Sequence, residues 1–327
     1  MTLWNQTQQE VQAAGGNHDT PRRAKLAALR DYTGRPVILY AVDFLNKAKL
    51  QAVGGDVLIG LEDLEGFKEI IEATPGNEVD VLLQSPGGSA EATESIVRLL
   101  RSRFQHIRFL IPGIAKSAAT MLAMAGDVLL LDESSELGPI DPQMVINNRQ
   151  SPAGAIRDQF AKATKDLENN PALMPAWLPI LQQYGPSLLV ECENHIALSL
   201  ELVANWLRSY MFREQPNPGR KARKVAKYLA NDKLFRSHAR RVGKSDLEKL
   251  DLNIIDTTDD ATLHRAIQVL YVSVLVTFEG TGAYKLFENS EGAAHIRMIQ
   301  GQRIQTPPAQ PPPPPAQPPP PPGQSTP

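Results

Sequence analysis

The chain has 327 residues, of which 42% are apolar, and its formal net charge is −2. This length can hold one large domain or two ordinary ones, and the near-neutral charge gives no reason to expect nucleic acid or a membrane surface as a partner of the whole chain. The single cysteine, Cys192, excludes a disulfide framework.

In chain order, a polar segment precedes alternating strands and helices. Residues 1–25 are rich in Gln, Asn, Gly and Thr, and we expect them to be a flexible N-terminal segment. The order of the following elements implies right-handed parallel βαβ units. Hydrophobic periodicity predicts strands at 35–42, 79–83, 106–111 and 127–131, and helices at 61–73, 89–104 and 117–125.

The second half of the chain changes character. Helical segments interrupted by prolines run from about 145 to 230 and predict a helical insertion or arm that builds subunit contacts or a lid. Residues 251–255 resemble a late strand that returns to the sheet. Residues 301–327 are Pro/Gln repeats, which favour polyproline II, so we expect a disordered spacer or a segment that docks a partner. The main domain is therefore predicted over 26–300.

Neither a secretory leader nor a membrane span is expected. The N-terminus lacks the basic-then-apolar layout of a signal peptide. The best apolar stretch, 267–278, is shorter than the roughly 18 residues of a spanning helix and suits a buried helix or strand better. We therefore predict a cytoplasmic protein.

Two strand-to-helix corners, at 84–89 and 113–120, carry the candidate chemistry. Ligands of an open α/β sheet bind at the carboxyl ends of the strands, so both corners could face one crevice. Backbone N–H groups of Gly87 and Gly88 can point at an anion, and Ser117 lies where a helix N-terminus favours developing negative charge. A nucleophile and oxyanion donors together are the minimum equipment for acyl transfer.

The same corners carry a resemblance to a known family. SPGGS at 85–89, AKSAAT at 115–120 and LGPIDPQ at 137–143 resemble the Clp-fold serine proteases, and most closely the serine dehydrogenase proteinase family. The resemblance extends over about 35–298, with weaker matches at 234–238 and 285–289. It implies an α/β, ClpP/crotonase-like spiral of βαβ units with a helical arm, assembled as a homo-oligomer that hydrolyses protein or peptide substrates.

The resemblance also implies roles for individual residues. Ser117 would be the nucleophile, Gly87 and Gly88 the oxyanion hole, and Asp141 and His238 the remaining members of a triad in chain order Ser, Asp, His. In such a triad the imidazole accepts the serine proton, while the carboxylate fixes the tautomer and stabilises the imidazolium.

Competing interpretations remain open at this point. Ser117 could be an ordinary helix N-cap, and Asp141 could form an Asx turn. A Ser–Lys dyad would use Lys162 or Lys165 as the base. Two other function classes fit the fold: a catalytically degenerate assembly protein, and a crotonase-like acyl-CoA hydratase or isomerase.

No motif predicts a metal or cofactor, since no zinc-like histidine pair, phosphate-binding loop or dinucleotide fingerprint occurs. One charge feature is unexplained: residues 208–249 hold 13 Lys/Arg and 4 Asp/Glu. It could be a solvated helical face, or it could contact an acidic substrate, an acidic partner protein or nucleic acid. Aromatic residues are sparse there, so no nucleic acid is expected.

Overall fold

A computed structural model describes residues 1–299. Its strands are β1 Val37–Val42, β2 Glu78–Gln84, β3 His106–Leu110, β4 Ile114–Ala115, β5 Val128–Leu131, β6 Glu136–Leu137, β7 Gln143–Ile146, β8 Arg149–Pro152, β9 Ile254–Asp256, β10 Ala283–Asn289 and β11 Ala294–Met298. The main sheet has seven of them, in the order β11-β10-β1-β2-β3-β5-β9.

Helices surround this sheet and form the arm. They are α1 Leu3–Ala13, α2 Asp19–Thr33, α3 Lys47–Val53, α4 Asp63–Glu72, α5 Ala90–Arg103, α6 Ala118–Met124, α7 Ala153–Asn169, α8 Met174–Leu181, α9 Leu188–Ser209, α10 Pro218–Leu229, α11 Asp232–Phe235, α12 Lys244–Glu248 and α13 Ala261–Gly280. Short 3₁₀ helices lie at Gly54–Val57, Pro171–Leu173 and Thr257–Asp259.

Strands β1, β2, β3, β5 and β9 are parallel, as the alternating pattern predicts, and the late strand at 251–255 corresponds to β9. Strands β10 and β11 extend the sheet on the other side of β1 and run antiparallel. Periodicity did not indicate these two, because β10 carries buried charged residues, Lys285 and Glu288, that break an apolar run.

Both faces of the sheet are covered. Along β1, Val37, Leu39 and Ala41 join the core formed with α2 and α13. The alternate residues of β1 join the larger core formed with α4, α5 and α6. Because successive strand side chains point to opposite faces, burial on both faces makes β1 apolar throughout, as is typical of parallel sheets.

The expectation of a loosely ordered N-terminus is wrong. Residues 1–25 contribute α1 and much of α2, and Arg22 is fully buried. Arg22 forms an ion pair with Glu288 of β10 at 2.6 Å and donates to Thr277 of α13 at 2.8 Å. Composition cannot reveal this order, because the partners lie more than 250 residues away in the chain.

Helix α13 is long and apolar enough, by length and composition, to cross a membrane. In the fold it contacts α1, α2 and β10, and its residues Leu263, Ile267, Leu270 and Val274 are buried. It therefore packs as a core helix of this domain.

The region expected to be a helical arm begins with a hairpin, β7–β8, and continues as helices α7 to α10. Helix α9 packs against both α7 and α10, and it also contacts α6. The Pro/Gln segment at 301–327 lies outside the described residues.

Candidate active site

The two strand-to-helix corners meet in the fold. The Ser85 N–H donates to the Ile114 carbonyl at 3.0 Å, and the Lys116 N–H donates to the Ser85 carbonyl at 3.1 Å. These bonds continue the parallel pairing past the end of the main sheet, so Gly87 and Gly88 are brought beside Ser117.

Gly87 is required by this close approach. Its φ is +100°, and a Cβ built on it would lie 2.7 Å from Ser117 Cβ and 2.6 Å from the Lys116 carbonyl oxygen. Gly88 is equally constrained, because its Cβ would lie 2.3 Å from the Ile59 backbone. A side chain at either position would force the corners apart.

The backbone donors of this corner differ in availability. The Gly87 N–H donates to the Ser85 hydroxyl at 3.2 Å, so it is engaged within the turn. Among the hydrogen bonds described over residues 1–299, none is donated by the N–H of Gly88 or of Ala118. Ala118 is the first residue of α6 and was not singled out from the sequence as an oxyanion donor.

Ser117 adopts a strained backbone conformation, φ 52° and ψ −121°, immediately before α6. This region is sparsely populated by residues other than glycine and costs on the order of 1–3 kcal/mol. Its side chain makes no capping hydrogen bond, so helix capping does not explain why a serine stands at this position. Strain of this kind clusters at active sites.

Asp141 and His238 are paired, with 2.8 Å between Asp141 Oδ1 and His238 Nδ1. Because a carboxylate only accepts, Nδ1 is the donor and Nε2 is left as the basic nitrogen. Asp141 is buried, and its second oxygen accepts from Gln143 Nε2 at 2.7 Å. The carboxylate is thus held on both oxygens.

The segment that carries Asp141 is tied to the serine helix. Thr120 of α6 donates to the Ala115 carbonyl at 2.7 Å and accepts from the Gly138 N–H at 2.9 Å. Leu137 and Val242 exchange two backbone hydrogen bonds, which place the chain after His238 alongside the same segment. Local geometry therefore brings the three predicted triad residues into one region.

Ser117 and His238 line a common cavity of about 340 Å³. No hydrogen bond joins Ser117 Oγ to the imidazole among the residues described, and such bonds are often long before substrate binds. The walls are mixed, and their apolar residues include Leu58, Met121, Ile140, Met144 and Val145. His195 and Ser199 of α9 also line the cavity, and neither was predicted as a site residue from the sequence.

The lysines considered as alternative bases lie elsewhere. Lys162 pairs with Asp166 at 2.9 Å and lines a second cavity of about 580 Å³, whose wall also includes Asp141 and His238. Lys165 is exposed on α7 and is not among the residues lining the serine cavity.

Lys116 extends away from the serine. Its ammonium pairs with Glu136 at 3.0 Å and approaches the carbonyl oxygens of Ala239 and Arg240 at 3.4 Å each. Lys116 therefore connects the corner at 113–120 to the segment after His238. Over residues 1–299, no group of three or more His, Cys, Asp or Glu side chains could hold a metal ion.

Comparison with known proteins agrees with the resemblance seen in the motifs. Residues 52–177 match the family model of ClpP-like SDH-type serine proteinases. This match confirms the predicted relationship over that segment, which contains both corners and Asp141, and together with the seven-stranded sheet it confirms the ClpP-like α/β fold. The family whose model matches is one of serine proteinases.

Two relatives are uncharacterized proteins of Methanocaldococcus jannaschii. MJ0137 is 34% identical over 87 residues, which is 26% of this chain and 30% of that protein. MJ1495 is 32% identical over 103 residues, which is 31% of this chain and 34% of that protein. The chain thus spans about a third of the length of the curated relatives it matches.

Among solved structures, the chain is similar to a membrane-bound stomatin-specific protease in a serine-to-alanine mutant form. The sequence identity is 15% and the TM-score is 0.38, over 63% of this chain and 79% of that one.

Proposed function

We propose that the chain is a serine endopeptidase that works through an acyl-enzyme on Ser117. The observation that carries the proposal is the 2.8 Å Asp141–His238 pair, whose imidazole lines the same cavity as a strained serine. The match to a serine proteinase family supports it.

In the proposed reaction, Ser117 Oγ bonds to the scissile carbonyl carbon while its proton passes to Nε2 of His238. The imidazolium then gives this proton to the amide nitrogen as the C–N bond breaks, and the amine leaves. Water repeats the sequence on the ester and restores the serine. Asp141 stabilises the imidazolium and holds its orientation.

We assign the oxyanion hole to the corner of Gly87 and Gly88 together with Ala118. Gly88 and Ala118 supply the free N–H groups, one from each corner, whereas Gly87 contributes mainly by permitting the contact with Ser117. Removal of one such donor typically costs about 10²–10³ in kcat.

The other function classes have less support. The comparisons give no support to an acyl-CoA hydratase, and that chemistry needs no serine at the strained corner. A degenerate scaffold has no need for a buried carboxylate held on both oxygens and paired to a histidine. A protein or peptide substrate, a homo-oligomer and a cytoplasmic location are parts of the same proposal.

Labelling with a fluorophosphonate probe tests the proposal. The wild-type chain should react, and Ser117→Ala should not. Asp141→Asn should slow turnover of a casein substrate by about 10³–10⁴-fold, because the wrong imidazole tautomer is then favoured. Lys162→Ala is the matched control and should behave as wild type. Labelling that survives in Ser117→Ala, or that is absent from the wild type at every pH tested, would overturn the assignment.

A further inference from the structure

Six cations on α9 and α10 have no acidic partner. They are Arg208, Arg220, Lys221, Arg223, Lys224 and Lys227, and no carboxylate of residues 1–299 lies within 4.0 Å of any of them. All except the half-buried Lys221 are exposed. The other unpaired cations of 208–249 are Arg236, Arg240 and Arg241, so six of the nine lie on these two helices.

Most cations elsewhere in the fold are paired. Arg35 and Arg108 share Asp80, Arg101 pairs with Asp127, and the surface residue Arg98 pairs with Glu94. On α10, by contrast, like charges recur at i and i+4, a spacing that destabilises a helix by a few tenths of a kcal/mol per pair. An anion bound against this row would relieve the repulsion.

A groove of about 370 Å³ runs between α9 and α10 beside these cations. Its apolar lining comes from Ala197, Leu200, Ala204 and Ala226, which leave room for a side chain. Arg208, Arg223 and Lys227 form the cationic rim, and Glu201 also lines the groove. The shape and the charge together suit an occupant that is apolar at its centre and acidic at its edges.

This surface distinguishes among anionic partners. The apolar face of α10, made of Ala222, Val225, Ala226 and Leu229, is buried, so the helix has no apolar face with which to enter a lipid bilayer. No aromatic residue lines the groove, so it provides no platform for stacking nucleic-acid bases. A polypeptide with acidic residues around an apolar side chain would complement both the cationic rim and the apolar lining of the groove.

We propose that this α9–α10 groove is a docking site for an acidic amphipathic segment of a partner polypeptide. Such a segment would lay its apolar face into the groove and its carboxylates against the cationic rim, the mode in which amphipathic helices bind grooves. Helix α9 also carries His195 and Ser199, which line the serine cavity, so the bound polypeptide would be tethered one helix away from the candidate nucleophile. The docking does not depend on the proposed hydrolysis.

The test measures binding of a fluorescent peptide to the full chain by anisotropy. The probe has leucine at i, i+3, i+4 and i+7 and glutamate elsewhere, and two matched peptides replace either glutamate by lysine or leucine by serine. The wild type should bind the first peptide in a salt-sensitive manner and should bind both matched peptides at least about tenfold more weakly.

Two sets of variants locate the site. Arg208→Glu, Arg223→Glu and Lys227→Glu together should weaken binding at least about tenfold, whereas the exposed control set Lys47→Glu, Lys68→Glu and Arg98→Glu should change it less than about twofold. Ala197→Trp, at an exposed position, should fill the groove and weaken binding without changing the charge. Circular dichroism checks that every variant is folded.

The proposal fails if the wild type does not bind the peptide, or if both sets of charge reversals weaken binding equally. It also fails if Ala197→Trp binds the leucine peptide as well as the wild type does and the wild type binds the serine-substituted peptide equally well. Charge alone would then account for the binding. Binding of a DNA oligonucleotide or anionic vesicles through the same cations, without peptide binding, would assign the surface to that partner instead.

Discussion

Lys285 and Asp63 form a fully buried ion pair, with Lys285 Nζ 2.7 and 2.8 Å from the two carboxylate oxygens. The same ammonium donates to the Leu58 carbonyl at 2.7 Å, and Tyr40 donates to Asp63 at 2.8 Å. Burial lowers the pKa of Lys285, and the charge of Asp63 opposes that shift.

This pair lies directly behind the glycine corner. Ile59 follows Leu58, accepts from the Ser89 N–H at 2.9 Å and donates to the Gly87 carbonyl at 2.8 Å. The buried ion pair therefore holds Leu58 and Ile59 in place, and Ile59 holds the segment 87–89. We expect both the stability of the fold and the reactivity of Ser117 to depend on this ion pair.

We predict that Lys285→Met destabilises the protein by about 3–5 kcal/mol, because the buried Asp63 loses its close cationic partner and keeps only the cation of Arg297, 3.8 Å away. Fluorophosphonate labelling of Ser117 should slow under conditions where the variant is still folded. Urea unfolding measures the first effect. Arg98→Met, at an exposed ion pair, should stay within about 0.5 kcal/mol of wild type. Equal effects of the two substitutions would show that the buried pair does not support the corner.

Gly87→Ala should reduce labelling of Ser117 by about 100-fold or more, since its Cβ would displace the serine, and small misplacements have costs of this size. Gly76→Ala is the control, because Gly76 also has a positive φ, +76°, but nothing lies within 4 Å of its added Cβ. Both variants should lose about 1–3 kcal/mol of stability. Only Gly87→Ala should lose reactivity, and normal labelling in that variant would contradict the described contact.

Ser117→Gly should be more stable than Ser117→Ala by about 1 kcal/mol, although both lack the nucleophile. Relief of the positive φ is worth about 1–3 kcal/mol and exceeds the entropic cost of glycine, about 0.5–1 kcal/mol. At Ser95, inside α5, the order should reverse, because helical glycine is less stable than alanine by about 1 kcal/mol. Thermal unfolding of the Gly and Ala variants at Ser117 and at Ser95 measures these differences. If Ser117→Ala is more stable than Ser117→Gly, the backbone at Ser117 is not strained.

Acid stability should depend on Lys244 and Asp256. Their hydrogen bond lowers the pKa of Asp256 from 3.8 to about 2, so its contribution to stability is present above pH 3.8 and is lost as the pH falls toward 2. Asp256 and Glu133 both raise the pKa of Lys244, which therefore stays charged over this range. The loss of unfolding free energy caused by Lys244→Met should be full near neutral pH and vanish by about pH 2. A loss independent of pH would exclude the ion pair as its cause.

Sequence patterns predicted the parallel part of the sheet because alternation and turn residues act over a few positions. They did not reveal β10, β11 or the docking of α2 on the sheet, since the buried Arg22 of α2 and Glu288 of β10 meet only in the folded chain. Ser117 and the glycine corner could be predicted from sequence, because each lies where a predicted strand ends and a predicted helix begins. Asp141 and His238, 97 residues apart, were accessible only through the family resemblance. The sequence did not predict that the Gly87 N–H donates to Ser85 or that no described hydrogen bond is donated by the Ala118 N–H. Such bonds depend on the exact backbone conformation of each corner, which motif spacing does not predict.

The paired His238 and Asp141 side chains belong to the walls of two cavities, only one of which contains Ser117. A small molecule held in the other cavity would contact His238 without entering the cavity that contains Ser117. If the proposed hydrolysis is correct, a ligand of this second cavity would disturb His238 without competing with the substrate.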